Sequence, residues 1–488
     1  MVFRQADWVV LAAAFVGLGG LVAISELLRV RGWRPTTTRR FVHLGVGLFV
    51  VASPLLFSAA GPVYVLATAF VVINAGARRG SWLPGIHSAR ADSWGTVAMP
   101  LVLLLALATT WSVASDRTYI LQGAFLVLGL ADPLASWGGE KTGGREWIPG
   151  ATVLGSGLFF GAAFLLTTGV LLEVGEWSAA RAIGAATTVA VVTTAIEALG
   201  RHGWDNVFVV LGVILVLVPL HEERVSVVAL LGASVVGMGF GALAYTSQGL
   251  DSRGAVAGGL FAFSLVGVGG WAWALPGFVF FVLSSALSRL RATFTTGADE
   301  EVAPRTLRQV LANGGVAWGL LAAFAVLPGR PLFLEACYLG FLGALAAAAA
   351  DTWATELGVW GTGQPWSLRT GAPVPAGQSG AVSVGGTAAA AIGAVSVAAA
   401  AMLGGGGSVS ISGETFLGIV GAGLVGMVTD SLAGAFLQAR YRDSATGRVV
   451  EQPTGSDAVL LQGWRRIDND AVNLLGTAAG ALAALLVW

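Results

Sequence analysis

Apolar segments long enough to cross a bilayer recur along almost the whole chain, and no other feature constrains its fold so strongly. A spanning helix needs about 20 mostly apolar residues. About sixteen such runs follow one another in 488 residues. The first eight begin near Trp8, His43, Pro62, Trp94, Thr118, Ala151, Ala182 and Asn206. The second eight begin near Ser226, Gly254, Leu275, Asn313, Phe333, Gly380, Glu414 and Ala471. Only 11% of residues are charged, against roughly 25% in soluble domains. The pattern predicts an all-α, polytopic transmembrane helical bundle in two eight-helix halves. Gly, Ala and Ser are abundant inside the runs, as expected where helices approach closely in lipid. The first run, about Trp8 to Leu28, reads as a span rather than a cleaved leader.

Charge placement orients these runs. With sixteen spans, 22 of the 27 basic residues fall in loops on one side and five (Arg4, Arg117, Arg181, Arg224 and Arg330) on the other. By the positive-inside rule the richer side is cytoplasmic. The chain is therefore expected in the cell membrane with both termini outside. Net charge is zero, which gives no argument for nucleic-acid binding. Cys337 is the single cysteine, so no intrachain disulfide forms, and its apolar surroundings make it packing. The four histidines lack metal-ligand spacing. A boundary fits best at the polar break His221-Glu222-Glu223-Arg224, dividing the chain into 1–222 and 223–488. Residues 439–470, the longest polar stretch, read as a functional cytoplasmic loop.

Acids at the ends of apolar runs are costly in a membrane and point to function. Asp132 ends one run, and the only lysine, Lys141, follows in the Gly-rich stretch Gly138-Gly139-Glu140-Lys141-Thr142-Gly143-Gly144-Arg145. Lysine is a compact charge suited to phosphate, whereas arginine is a planar fork. Glu197 ends another run, followed by Asp205-Asn206. Such hard oxygens suit Mg²⁺, which takes one or two carboxylates plus substrate phosphates. Asp205 also reads as a helix N-cap. Arg39-Arg40-Phe41-Val42-His43 opens the second run, with Arg39 and His43 on one helical face. Taken alone, the arginine pair is a membrane anchor. A faint repeat links Ala131-Asp132-Pro133-Leu134-Ala135, Ala350-Asp351-Thr352-Trp353-Ala354 and Thr429-Asp430-Ser431-Leu432-Ala433.

These motifs, in this order, resemble the polyprenol kinase superfamily, which includes phytol and dolichol kinases and is related to phosphatidate cytidylyltransferase. The likeness covers most of residues 1–220. It implies CTP-dependent phosphorylation of a long-chain isoprenoid alcohol. The motif residues fall on Arg40, His43, Asp132, Lys141, Glu197, Asp205 and Asn206. The family often carries a lysine in a Lys-Ser/Thr-x-x-Gly-Ser motif after its nucleotide loop. Here Glu146-Trp147-Ile148-Pro149-Gly150-Ala151 stands there, which leaves open the basic residue that replaces that lysine, with Arg145 a candidate.

The second half has a different polar pattern. Arg305, Arg308, Gln309 and Asn313 stand at a span entrance, with the first three expected on one helical face. Asp351 and Glu356 follow the next apolar run, and the loop Val374-Pro375-Ala376-Gly377-Gln378-Ser379-Gly380 enters another. Its backbone N–H groups suit an anion at a helix N-terminus. Asp430-Ser431 lies late in a span, and Asp468-Asn469-Asp470-Ala471-Val472-Asn473 opens the last one, where Asp470 also reads as an N-cap. This order resembles the transmembrane protein 19 family, which contains phytyl-phosphate kinase, over about 230–488. That family often has lysine where Arg289 or Arg291 stands here.

The two resemblances together imply a fusion of a prenol kinase (1–222) and a prenyl-phosphate kinase (223–488). A prenol such as phytol or geranylgeraniol becomes its monophosphate and then its diphosphate, with CTP or another nucleoside triphosphate as donor. The implied metal ligands for Mg²⁺ are Asp132, Glu197, Asp205, Asp351, Glu356 and Asp430. The implied nucleotide and phosphate contacts are Arg40, Lys141, Arg145, Asn206, Arg305, Arg308, Gly377, Gly380 and Asn473. His43, Asp132 and Asp351 carry the catalytic roles, with His43 either a general base or an orienting hydrogen-bonder. The alternatives are a cytidylyltransferase making a CDP-activated lipid and a transporter with duplicated halves.

Overall fold

The computed structural model describes residues 4–79, 94–142, 144–200, 203–294, 303–358, 364–374, 379–405, 409–443, 447, 449–452 and 458–487, with backbone alone at 141–142, 292–294 and 487. The apolar runs are helices. The first are α1 (Gln5–Val30), α2 (Pro35–Leu56), α3 (Gly61–Arg79) and α4 (Gly95–Thr109). Next come α5 (Thr118–Leu126), a π-helical turn over Val127–Ala131, and α6 (Asp132–Thr142), which continue one another. A hairpin of β1 (Glu146–Ile148) and β2 (Ala151–Thr152) leads into α7 (Val153–Glu173), then α8 (Ala179–Leu199), α9 (Asp205–His221) and α10 (Val227–Thr246).

The series continues with α11 (Ser252–Ser264), a second π turn over Leu265–Gly269, α12 (Trp271–Phe294), α13 (Leu307–Val326) and α14 (Pro331–Leu357). A second hairpin, β3 (Trp366–Ser367) with β4 (Ala381–Val382), leads into α15 (Val384–Leu403). Then come α16 (Gly413–Phe436), a three-stranded antiparallel sheet in the order β6-β5-β7 and α17 (Asn469–Val487). Its strands are β5 (Arg440–Arg442), β6 (Val449–Val450) and β7 (Val459–Gln462).

Fourteen helical stretches among the described residues are long and apolar enough to cross a membrane. The chain is thus an all-α polytopic membrane protein. Two more apolar helices, α4 with 15 residues and α9 with 17, fall short of that length. Length alone therefore does not establish the sixteen spans read from the sequence.

The helices form two compact units. One comprises Met1–Val235 with Ala325–Pro328, and the other Val236–Phe324 with Gly329–Trp488. In the first, the α5–π–α6 stretch runs through the core, with Ile120, Leu121, Phe125 and Val127 fully buried. Its partner α2 approaches closely because glycines face each other. A Cβ on Gly47 would meet Gly129 Cα at 3.0 Å and the Phe125 carbonyl oxygen at 3.1 Å. Gln122 Nε2 donates to the Val51 carbonyl at 2.8 Å along the same seam. In lipid, where tails are as apolar as leucine, such small-residue contact holds helices together.

The second unit is built around α14, buried without interruption from Cys337 to Ala350. Its alanines Ala346, Ala347 and Ala349 pack against Gly423 and Gly426 of α16, Gly480 of α17 and Gly393 of α15. This close packing delivers Asp351, the first residue beyond the buried run, to the helix's C-terminal end.

One local pattern occurs in both units. An acid-bearing helix ends, a two-stranded hairpin follows, and a hydroxyl caps the next helix. Thr152 Oγ1 accepts the Gly155 N–H at 3.1 Å to start α7. Ser383 Oγ accepts the Gly386 N–H at 3.0 Å to start α15. Each cap satisfies one of the N–H groups a helix leaves open.

Candidate functional sites

The Gly47–Gly129 approach sets the first site. One turn from Gly47 on α2 stands His43, and three residues after Gly129 stands Asp132. His43 Nδ1 and Asp132 Oδ2 are 3.8 Å apart. The π turn ends at Ala131, immediately before Asp132. Such turns add a residue to the helical repeat and often mark functional sites.

Around this pair the structure gathers most of the residues expected in the first half. Arg40 Nη2 donates to Ser136 Oγ at 2.7 Å and meets Glu140 Oε1 at 2.5 Å, so α2 clasps α6. The charges of Arg39 and Arg40 act on Asp132, and those of Asp132 and Asp205 act on Glu197. Asn206 Nδ2 donates to the Gly95 carbonyl at 3.3 Å. A Cβ on Gly95 would stand 3.2 Å from Arg39 Nη2, so the glycine leaves the guanidinium its place.

Asp205 proves not to be an N-cap. α9 begins at Asp205 itself, and the capping position, Trp204, makes no side-chain hydrogen bond to the helix. The aspartate is thereby free for another role. Among the described residues, Glu197 Oε2, Asp205 Oδ1 and Asn206 Oδ1 are buried and lack a hydrogen-bond partner. Unmet buried oxygens are costly, and carboxylate and amide oxygens are the donors a hard cation takes. No group of three or more His, Cys, Asp or Glu among the described residues is arranged to hold a metal alone. The set fits Mg²⁺ arriving with phosphate oxygens, which needs only one or two carboxylates.

Lys141 belongs to α6, but its side chain lies outside the described residues. Arg145 is exposed, and its carbonyl accepts the Val153 N–H at 2.9 Å, closing the hairpin. Beside this polar group an apolar cavity of about 90 Å³ opens between α1, α2, α3 and α4. Val46, Phe49, Phe70, Met99 and Leu103 line it, and His43, Asn74 and Gly95 stand at its polar end. Asn74, whose Nδ2 donates to the Thr96 carbonyl at 2.8 Å, was not legible as a site residue, because a lone asparagine in an apolar run carries no motif.

The second unit holds a polar pocket of about 410 Å³. Arg305, Asp351, Glu356, Gly380, Asp430 and Asn473, all expected site residues, line it. The Asp351 and Asp430 carboxyl groups lie within hydrogen-bonding reach of each other. Asn473 donates to Asp430 Oδ2 at 3.1 Å in the amide orientation that satisfies both groups. Two carboxylates this close repel unless a proton or cation stands with them, so this pair also fits Mg²⁺. The first turn of α15, with Ser383, Gly386 and Thr387, faces the same space. A helix N-terminus favours anions.

Arg305 and Arg308 do not share a helical face. Arg305 precedes α13 and pairs its backbone with Gly249 and Asp251. Its Nη2 donates to Ser288 Oγ at 3.0 Å, and Ser288 Oγ donates to Glu356 Oε1 at 2.7 Å. Burial draws the Arg305 pKa below the usual guanidinium value, and the Glu356 carboxylate works the other way. Arg308, expected on phosphate, instead meets Asp468 at 2.6 Å and Asp470 at 3.3 Å. Asp468, whose Oδ1 accepts the Ala471 N–H at 3.0 Å, caps α17 in place of Asp470. Ser288 is a further residue the sequence did not single out.

Gly377 lies outside the described residues. Gly380 has φ +74°, and a Cβ there would stand 2.5 Å from the Ala435 backbone. Gly380→Ala is therefore expected to destabilise the protein by about 1–3 kcal/mol. An unchanged thermal midpoint in detergent would contradict this.

Comparison with known proteins bears on the second unit first. The model of the family described as integral membrane protein DUF92 matches residues 235–481, half of the chain. The chain belongs to this family. It is also similar to three curated proteins. A membrane protein of Methanocaldococcus jannaschii is 27% identical over 137 residues, 28% of this chain and 54% of that protein. Protein PGR of Arabidopsis thaliana is 30% identical over 148 residues, 28% of this chain and 51% of that one. The chain thus spans about half the length of these two relatives. Phytol kinase of a Synechocystis species is 29% identical over 209 residues, 42% of this chain and 88% of that protein. No solved structure matches the chain. Membership of a membrane family with likeness to a phytol kinase agrees with the coarse sequence reading; a fusion of two kinases goes further than these likenesses reach.

Proposed function

We propose that the chain is a membrane phosphotransferase that phosphorylates a long-chain prenol and then the resulting prenyl monophosphate. Residues 1–222 carry the first step and residues 223–488 the second. One observation carries this reading: in the first unit an apolar cavity ends on His43, directly beside Asp132, two arginines and three unmet oxygen donors. A greasy slot opening on a polar site with cation-binding capacity suits an amphiphilic alcohol and a nucleotide. The likeness to Synechocystis phytol kinase supports the same chemistry.

Phosphoryl transfer asks a protein mainly to position groups and neutralise charge. The hydroxyl-bearing end of the prenyl chain lies in the cavity with the rest of the tail in lipid, and its hydroxyl meets the His43–Asp132 pair. Arg40, Lys141, Arg145 and Asn206 hold the nucleotide, CTP. Mg²⁺, held by Asp132, Glu197 and Asp205 with the phosphates, would neutralise charge on the transferred group. The hydroxyl oxygen bonds to the γ-phosphorus, its proton passes to the His43–Asp132 pair, and the bridging oxygen leaves with CDP. In the second unit Arg305 and the α15 N-terminus hold phosphate, Asn473 orients Asp430, and Asp351 and Asp430 hold the metal, with Glu356 behind Arg305. Both sites face the cytoplasm in this reading, with both termini outside.

The test is to incubate membranes containing the full chain with γ-labelled CTP and phytol, farnesol or geranylgeraniol. Labelled prenyl monophosphate and diphosphate, with unlabelled CDP as co-product, are expected. Release of labelled pyrophosphate with a CDP-lipid would replace the kinase reading by cytidylyl transfer. No transfer from any nucleoside triphosphate to any prenol would remove it.

A further inference from the structure

The second unit contains another cavity, small and apolar, of about 60 Å³. Five phenylalanines, Phe240, Phe261, Phe278, Phe280 and Phe281, line it. It shares Arg305, Gln309 and Asn313 with the polar pocket. One guanidinium and two amides thus form a partition with an aromatic slot on one side and the Asp351–Asp430 pair on the other. A ligand lying across this partition must be apolar at one end and anionic at the other. We infer that the slot is the subsite for the first isoprene unit of a prenyl monophosphate, with its phosphate on the Arg305 side. The inference rests on the phosphoryl-transfer reading of the second unit.

Size decides what part of the chain is held. A water-sized occupant needs about 15 Å³ by this measure, so the slot takes about four such positions, the scale of one five-carbon unit. A twenty-carbon tail does not fit and must continue into lipid. The wall is rigid. Phe240 meets Phe281 edge-on at 4.7 Å and Phe278 at 5.6 Å between centroids. Aromatic walls bury apolar area and lose little side-chain freedom in doing so. The space also depends on absent side chains, because a Cβ on Gly314 would stand 3.2 Å from the Phe261 ring. The site therefore reads the branched unit next to the phosphate and is indifferent to total chain length.

The experiment uses the full chain in detergent–lipid micelles with nucleoside triphosphates. Its substrates are geranyl, farnesyl and geranylgeranyl monophosphates and, for comparison, unbranched hexadecyl monophosphate. The three prenyl substrates should be used at similar kcat/KM, and the unbranched one about tenfold less well. Ala262→Phe, which fills the slot, should remove most of that preference. As a measurement independent of this variant's folding, a geranyl monophosphate bearing a diazirine on its first unit should label the segment 278–281 in the unaltered protein. Turnover with a steep dependence on chain length, or with labelling elsewhere, overturns the subsite and leaves the reaction standing. Labelling at 278–281 without turnover by any nucleotide supports the subsite and removes the reaction.

Discussion

Asp132→Asn is expected to lower prenol phosphorylation by about a thousandfold while phosphorylation of added prenyl monophosphate continues at its normal rate. The residue sits where three structural devices converge. The Gly47–Gly129 contact brings α2 alongside, the π turn ends at its N-terminal side, and His43 stands 3.8 Å away. Asparagine keeps the shape and removes the charge. It cannot accept the hydroxyl proton, and it weakens the oxygen set that Glu197 and Asp205 share. A loss of this size is about 4 kcal/mol of transition-state stabilisation. Insertion and helix packing should be unaffected, since no helix-capping bond passes through this carboxylate. Loss of both steps in a well-folded Asp132→Asn protein would show that one shared site does both reactions.

Asp430→Asn should produce the complementary outcome. Prenyl monophosphate accumulates and diphosphate falls by about a hundredfold or more. Stability should move the other way. Asp351 and Asp430 are neighbouring carboxyl groups on the wall of the polar pocket, a costly arrangement when both are charged that neutralising one partner relieves. The variant is therefore expected to unfold at an equal or higher temperature than the parent while losing the second step. A residue serving packing alone would lose stability first. Thin-layer separation of labelled products, together with a thermal scan, distinguishes the two.

Much of the fold was legible because lipid leaves few choices. A run of apolar residues must become a helix there, since every backbone N–H and C=O needs a partner within the span. The acids were legible for a related reason: Asp132, Asp351 and Asp430 stand out only against an apolar background. What the sequence hid lies below the resolution of periodicity. The π turn at Val127–Ala131 has the same composition as the helix around it. The two hairpins are two or three residues per strand, too short to alternate visibly. Arg305 and Arg308 looked like neighbours on a face because their spacing is helical. Thr306, whose N–H bonds Gln309 Oε1 at 2.9 Å, starts the helix between them and sends them apart. Ser288 gave no signal, since a serine in a membrane helix usually bonds its own backbone. Here Oγ lies 3.1 Å from the Ser284 carbonyl in that way, yet it also accepts from Arg305 and reaches Glu356.

The π turn is a place where this protein can lose a residue without moving its first site. A five-residue segment wound one residue wider than an α-helix is an insertion absorbed without a loop. Removing a single residue from Val127–Ala131 lets the segment relax to the ordinary repeat of 3.6 per turn. The wide turn holds one residue more than an α-helix needs for the same advance, so everything that follows on α6 keeps nearly the same phase. Asp132, Ser136 and Glu140 stay on the α2 face, and the clasp with His43 and Arg40 holds. The apolar content that drives membrane insertion barely changes. A one-codon deletion at this place is thus expected to be tolerated, whereas the same deletion between Asp132 and Glu140 turns the residues after it by about 100° and parts the first site.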